Sequence, residues 1–306
     1  MSGLFVFGLG YSARAIVARM RPGLDAVRGT TRDPEKLAEI EAMGATPILL
    51  DGDRGRDLHP SLHDAVFAAD RILVSIAPNE AGDPVLAHHR ADLAAAKPKW
   101  IVYLSTVGVY GDHDGAWVDE TSACRPVSKR SRERVEAEAA WRKFSEETGV
   151  PVAIVRLAGI YGPGRGPFEK IRRGTARRIV KAGQIFNRIH VDDIAQIVEA
   201  AFERRANGVF NGSDDEPTPP QDVIGYAAEL LGLPPPPEIP FEVADLTPMA
   251  RSFYGESKRV RNDKIKRELG VHLAHPTYRE GLTAILQAEV ARSPLPEGEG
   301  AREAGG

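Results

Sequence analysis

The chain has 306 residues, 42% of them hydrophobic, which is enough for one large core or two modest ones. Its 40 basic and 43 acidic side chains leave a formal net charge of −3, so neither nucleic acid nor an anionic membrane is expected as a partner. One cysteine, Cys124, excludes an intramolecular disulfide, and no apolar run reaches the ~20 residues that span a bilayer. The opening MSGLFVFGLG has no basic segment of the kind that begins a signal peptide, so a cytoplasmic protein is expected.

In chain order, residues 4–7 read as a strand and 12–20 as a helix, with Ala15, Ile16 and Arg19 at helical spacing. A second strand lies near 26–28, and Asp33-Pro34 opens a helix as N-cap and first-turn proline. Residues 46–50, 71–76 and 100–105 are further short apolar runs with helical stretches between them. Strands that are hydrophobic throughout suit a parallel sheet covered on both faces, and right-handed crossovers then give a doubly wound α/β sheet. A long helix is predicted over 128–147 and a strand over 152–157. From Gly159 the texture changes: a glycine- and proline-rich loop at 162–167, a basic run at 172–178, and a helix at 191–204 that returns to the first domain. A helix near 220–231 and the stiff spacer Pro234 to Pro237 follow, and 291–306 reads as a disordered tail. The expected division is 1–160 with 185–212 as the nucleotide-binding domain, and 161–184 with 213–290 as a smaller C-terminal lobe capping the substrate.

Gly8-Leu9-Gly10-Tyr11-Ser12-Ala13 fits G-x-G-x-x-A directly after the first strand and at the mouth of the first helix. Gly8 permits the tight turn, Gly10 lets the backbone approach a pyrophosphate, and Ala13 lets helix and strand pack closely; the helix N-terminus offers N–H groups and positive dipole. That is the phosphate-binding turn of a Rossmann fold. About 20 residues beyond lies Gly29-Thr30-Thr31-Arg32, with no acid before Asp33. An acid there would accept from the ribose 2′-OH, whereas Arg32 suits a 2′-phosphate and Thr30 or Thr31 can add a hydroxyl. NADP is the expected cofactor, with NAD the alternative. Asp51, ending the third strand, is expected to bound the adenine pocket.

Three more motifs follow in order: Ser105-Thr106-Val107-Gly108-Val109-Tyr110-Gly111, then Arg156-Leu157-Ala158-Gly159-Ile160-Tyr161-Gly162-Pro163-Gly164, then His190-Val191-Asp192-Asp193. With the glycine turn, they make the chain resemble the extended short-chain dehydrogenase/reductase superfamily of NAD-dependent epimerases and dehydratases, from about residue 3 to about 290. The resemblance implies a Ser/Thr, a Tyr and a Lys as the catalytic set, the last two as Y-x-x-x-K on the long helix. Thr106 matches the Ser/Thr position, with Ser105 as its neighbour on the cofactor side. Arg130 and Arg134 stand at the Tyr and Lys positions, and no tyrosine occurs between Tyr110 and Tyr161. Arginine holds its proton throughout the physiological range, so it cannot act as the donor. Tyr110, Tyr161, His190 and His113 are the substitute acid/base candidates; a cap that hydrogen-bonds backbone is the plainer role for His190. Relatives commonly form homodimers through the long helix.

Asp112, His113 and Asp114 are adjacent and have no second cluster to complete a metal site, so no metal is expected. That loop is expected to cover the pocket with Trp117 as an apolar plug, while His88-His89 reads as a solvated helix face. Cys124 reads as a small loop hydrophobe. Residues 257–262 are read as the start of a helix, and Arg251, Lys258, Arg259 and Arg261 are candidates to face a substrate anion. The expected function is oxidation or reduction of a small carbonyl or hydroxyl metabolite, a sugar derivative among the candidates; the alternative is a non-catalytic NADP(H)-binding redox sensor.

Overall fold

The computed structural model describes residues 2–50 and 60–292. The elements of the first half are β1 (Gly3–Phe7), α1 (Tyr11–Met20), β2 (Ala26–Thr31), α2 (Leu37–Ala42), β3 (Thr46–Leu49), α3 (Pro60–Phe67), β4 (Arg71–Val74), α4 (Pro84–Ala96) and β5 (Trp100–Thr106). A two-residue β6 (Trp117–Val118) precedes α5 (Lys129–Thr148) and β7 (Val152–Leu157). Then come β8 (Gly159–Tyr161), α6 (Phe168–Arg172), β9 (Arg178–Val180), β10 (Arg188–His190), α7 (Val191–Glu203) and β11 (Gly208–Gly212). The chain continues through α8 (Pro220–Leu230), β12 (Glu238–Pro240), α9 (Pro248–Phe253), β13 (Arg259–Val260), α10 (Asp263–Leu269) and α11 (Tyr278–Arg292).

Seven strands form one sheet in the order β11-β7-β5-β4-β1-β2-β3, and every pairing in it is parallel. The strand order reverses beside β1, as a doubly wound Rossmann sheet requires. β1 shows why its strands lack alternation. Leu4 and Val6 join the apolar layer under α1 and α7, while Phe5 and Phe7 join the layer under α3, α4 and α5. Each face needs its own apolar set, so the strand reads as a continuous run. Ser128 caps α5 by accepting from Ser131 N at 3.1 Å, and Gly149, left-handed at φ +73°, ends it.

Two smaller apolar clusters lie outside the sheet. Tyr161, Phe168, Val223, Ala227, Tyr278 and Leu282 form one, and Ile179, Ala244 and Tyr254 form the other. They draw on the segments expected to form the lobe. Its C-terminal part departs from expectation, because Val260, Ile265, Leu269 and Val271 pack into the α1/α7 layer instead. Residues 257–262 do not open a helix. Val260 is buried by pairing β13 with β6, and the helix starts only at Asp263. Trp117, on β6, is 50% exposed with the Arg261 guanidinium 5.1 Å from its ring, so it plugs no pocket. His89 is buried, its ring 5.4 Å from Phe7, while its neighbour His88 is exposed. The last helix runs two residues into the stretch expected to be disordered; 293–306, like Asp51, lie outside the described residues. No described helix is long and apolar enough to cross a membrane.

Arg156 is the one charge in the apolar run of β7, and Glu138 of α5 meets it there. Arg156 Nη2 donates to Glu138 Oε2 at 2.7 Å and Nε to Oε1 at 3.1 Å, with both residues buried. Ser105 Oγ donates to the same carboxylate at 2.6 Å. The pair ties α5 to β5 and β7. Removing one partner of a buried pair strands the other charge, at about 3–5 kcal/mol. Denaturant unfolding of Glu138→Ala is expected to show a loss of that size; a loss under about 1 kcal/mol would mean that water reaches Arg156 freely.

Candidate functional site

The main chain leaves β1 through Gly8 at φ +88°, where a Cβ would meet Ile76 Cγ1 at 2.9 Å. Gly8 N donates to Thr30 Oγ1 at 2.8 Å and Leu9 N to Thr30 O at 2.8 Å, so β2 braces the turn. Gly10 is the N-cap of α1 and supplies no side-chain cap; Arg14 N, bonded to Gly10 O at 3.0 Å, opens the helical ladder. The N–H groups of Tyr11, Ser12 and Ala13 therefore have no acceptor among the described residues. A Cβ at Gly10 would find nothing within 4 Å. Free donors beneath open space are what a pyrophosphate requires, so the turn fits a dinucleotide.

The side chains that follow Gly10 serve the protein. Ser12 and Ala13 are buried under the sheet. Tyr11 donates its hydroxyl to Pro163 O at 3.0 Å, with the Arg165 guanidinium 5.5 Å from its ring, which clasps the 162–165 loop against the turn. Desolvation by burial raises the Tyr11 phenol above its ordinary value. At the far end of β2, Thr31 Oγ1 accepts from Asp33 N at 3.2 Å, so this hydroxyl builds a turn. Arg32 is exposed and makes no ion pair or hydrogen bond with a described residue.

At the carboxyl end of β5, Thr106 is half-buried and its Oγ1 accepts from Gly108 N at 3.1 Å. A Cβ built on Gly108 would lie 3.1 Å from Ser131 Oγ and 3.4 Å from Thr106 Oγ1, so the two hydroxyls flank one glycine. Ser131 Oγ in turn accepts from Ser128 Oγ at 2.8 Å. Arg134, one turn on, donates to Leu104 O at 2.8 Å and to Tyr103 Oη at 2.9 Å. Arg130 is exposed at the start of the helix.

Three expected contributors are committed elsewhere. Ser105 turns inward to Glu138. Tyr110 is fully buried and donates to Asn211 Oδ1 at 2.7 Å; burial pushes its phenol up to about 12. It braces the core and has no path to a substrate. Tyr161 donates to Thr277 O at 3.3 Å beneath α11, and burial first, then Asp214 and Asp193, hold its phenol far above the ordinary value. His113 faces Ala123 O at 3.2 Å, and Asp112 Oδ1 accepts from Ser257 N at 2.8 Å, so this loop converges on no common point. Arg156 Nη2 lies 3.4 Å from Cys124 Sγ.

His190 caps α7 by accepting from Asp192 N at 3.2 Å. Its ring centroid lies 4.0 Å from that of His275, whose Nε2 is 3.6 Å from Asp192 Oδ2. One ligand atom from each of the three residues falls within 4.8 Å of the others, a spacing a metal could use, but the His190 Nδ1 lone pair already serves the helix. Asp193 accepts from Ala274 N at 2.6 Å and His275 N at 3.2 Å, which fastens the segment before α11 to α7. Burial drives His190 down to about 4, whereas the Asp192 carboxylate raises His275. The basic residues expected to face a substrate do not converge either. Lys258 is buried on Gly111 O and Glu256, Arg259 bonds Gly115 O, and Arg251 bonds Ala244 O.

Sequence reasoning passed over Glu138 and Ser131, and it gave Arg134 and Asp193 no fastening role. A signal existed for Glu138: it lies seven residues after Ser131 and three before Trp141 on the buried face of α5, opposite a charge in an apolar strand.

Residues 91–212 match the model of the NAD dependent epimerase/dehydratase family. The chain is 51% identical to a functionally unknown conserved protein from Silicibacter pomeroyi, over 94% of this chain and 99% of that one, with a TM-score of 0.86. It is 32% identical over 143 residues to a 3-diazoavenalumate denitrifying reductase of a Streptomyces species; the match covers 42% of this chain and less than half of that protein, 45%. MoeE5, solved in complex with UDP-glucuronic acid and NAD, shares the fold at a TM-score of 0.75 and 21% identity, over 95% of this chain and all of that one.

Because a methyl at Gly10 meets no protein atom, Gly10→Ala is expected to leave the melting temperature within a degree or two while weakening dinucleotide binding about tenfold or more, read by calorimetry. Unchanged affinity would separate the turn from the cofactor. The histidine pair has opposite pH signs. Neutral His190 stabilises above about pH 6.5, and this is lost as pH falls toward its folded value; charged His275 stabilises below about pH 6.5, and this is lost as pH rises through its raised value. His275→Gln is therefore expected to cost more stability at pH ~6 than at pH ~9; equal losses would assign the contact to packing alone.

Proposed function

Because residues 91–212 match the model of the NAD dependent epimerase/dehydratase family, we propose that the chain is an NADP(H)-dependent oxidoreductase acting on a small carbonyl or hydroxyl metabolite, a sugar derivative among the candidates. The observation that carries this reading is the uncapped first turn of α1 beneath the open space at Gly10. Gly8, Gly10, Tyr11, Ser12 and Ala13 form that cradle through their main chain. Arg32 supports NADP over NAD, since an exposed guanidinium just past β2 that no described residue engages suits a 2′-phosphate. A nicotinamide bound there supplies or accepts the hydride.

The protein's part is positioning and proton management. The Thr106 oxygen takes the Gly108 N–H, which leaves its own O–H to donate to the substrate oxygen. Ser131 and Ser128 continue from Thr106 as a line of hydroxyls toward the start of α5. Arg134 holds α5 to Leu104 and Tyr103 so that this line keeps its place against β5. Tyr161 walls the lobe side. A reducing, cytoplasmic setting fits the single thiol of Cys124.

A homodimer through α5 is not part of the proposal. The outward face of α5 carries Arg132, Glu136, Arg142, Lys143, Glu146 and Glu147, all exposed, with only the small Ala139 among them, and lacks the apolar centre of such an interface.

A second reading, a non-catalytic NADP(H)-binding redox sensor, has one observation in its favour. No tyrosine stands on α5, and the hydroxyls of Tyr110 and Tyr161 are both taken. Calorimetric titration with NADPH and NADH, followed by a carbonyl panel read at the NADPH absorbance, separates the two. Tighter NADPH binding is expected, with Arg32→Ala losing about 10- to 100-fold for NADPH and little for NADH. Turnover that falls in Thr106→Ala supports the enzyme, binding without turnover supports the sensor, and no binding of either nucleotide sinks both.

A further inference from the structure

Arg188 opens β10, and alternation along that strand sends Ile189 into the α1/α7 layer and Arg188 to the opposite side, toward the lobe. It stands between the two lobe clusters, where its charge acts on the phenols of Tyr161 and Tyr278 from one and Tyr254 from the other. Its Nη1 donates to Phe186 O and to Thr218 O, each at 3.2 Å. Those two residues are themselves bonded main chain to main chain, Phe186 N to Thr218 O at 3.1 Å and Thr218 N to Phe186 O at 3.0 Å. The guanidinium is therefore fixed by one nitrogen on a rigid pair of carbonyls. Among the described residues, no carboxylate lies within 4.0 Å of it, and Nε and Nη2 have no partner. The side chain keeps partial exposure, so this free edge is reachable from solvent.

Arg156 shows what the same chain does with a buried arginine that serves structure: it meets Glu138 through two nitrogens. Arg188 has no such partner. A largely buried guanidinium with no carboxylate in contact is costly to hold. Burial pulls Arg188 below arginine's ordinary value, which records that cost. The acid with the largest pull on it, Asp214, acts through space and makes no ion pair with it. Asp214, 1% exposed, gives its N–H to Arg188 O at 2.7 Å and leaves Oδ2 without a partner. Burial raises its carboxyl well above its ordinary value. A guanidinium edge that no described residue engages, with its charge felt by the phenols of Tyr254 and Tyr278, suits one small planar or tetrahedral anion.

We propose that Arg188 is the anchor for an anionic group, a carboxylate or a phosphate, on the small molecule that the lobe receives. As a statement about the substrate it rests on the oxidoreductase reading above; as a statement about anion binding it stands without it.

The test is thermal shift and calorimetry on the full chain with inorganic phosphate and with succinate as probes, in parallel with an NADPH titration. The expected result is a saturable response to at least one anion that weakens about tenfold or more in Arg188→Gln, while NADPH affinity is unchanged. Which anion responds tells phosphate from carboxylate. Phosphate held at the α1 turn is insensitive to Arg188, so the difference between wild type and variant is the readout. Should Arg188→Gln fail to fold, Arg188→Lys keeps the charge without the fork and is expected to weaken the response severalfold, with Asp214→Asn retaining it. A response of equal size in wild type and variants means an adventitious ion only and overturns the proposal, as does no response to either anion. NADPH binding without an Arg188-dependent response leaves the cofactor reading standing alone; the converse leaves the anchor standing and removes the cofactor.

Discussion

The carboxyl edge of the sheet is organised by one main-chain turn. Gly8 takes a left-handed φ of +88° and hands its N–H to Thr30 Oγ1, so the chain leaves β1 at a fixed angle and enters α1 with no side chain to cap it. An uncapped helix end with three free donors is normally a defect that water repairs. Here it is aimed at the gap beside β1 where the strand order reverses, the place a doubly wound sheet offers to a ligand. The same turn carries Tyr11, whose hydroxyl reaches Pro163 O and sets the loop that leads out to α6 and the lobe. Cofactor seat and lobe entrance are one construction, so a change at Gly8 would disturb both.

The rest of the scaffold is fastened by buried polar contacts whose partners are far apart in the chain. Glu138 joins α5 to β7 through Arg156 and to β5 through Ser105. Asp193 holds the segment before α11 to α7 by two main-chain N–H groups, and His190 caps the same helix beneath His275. Each contact sits at or near a strand's carboxyl end. Because each ties two distant parts of the chain together, these residues position the cleft rather than take part in its chemistry.

Much of this was legible from local pattern. The doubly wound parallel sheet follows from apolar runs separated by helices, and the glycine turn from its spacing and place. The long helix runs from Lys129 to Thr148 against an expectation of 128–147, because Ser128 and Gly149 are strong end signals. The failures are long-range. Lys258-Arg259-Val260-Arg261 reads as a charged helix start, yet the pairing of Val260 with Val118 decides the matter, and nothing local announces it. Of two adjacent histidines only His89 is buried, which depends on the phase of α4 against Phe7. Tyr110 follows Thr106 closely and looked available to a substrate, but Asn211, about a hundred residues on, claims its hydroxyl.

The site that results is better suited to stabilising developing negative charge than to delivering a proton. Phenols held in apolar surroundings keep their protons tightly, as the raised values of Tyr110 and Tyr161 record, and hydroxyls such as Thr106 and Ser131 ionise only far above neutrality. The helix that brings Ser131 toward Thr106 begins donor-rich: its first turns carry Lys129, Arg130, Arg132 and Arg134 together with the positive end of the helix. Lys129 is held by Glu80 at 2.8 Å and Arg134 by the β5 main chain, which leaves Arg130 exposed nearest the helix end. On the proposed reading, a carbonyl oxygen gaining charge meets the Thr106 O–H first and takes its proton from solvent afterwards. Such an order favours substrates whose oxyanion is already delocalised or partly neutralised, because they need the least from an acid. It is also compatible with an α5 that carries no tyrosine.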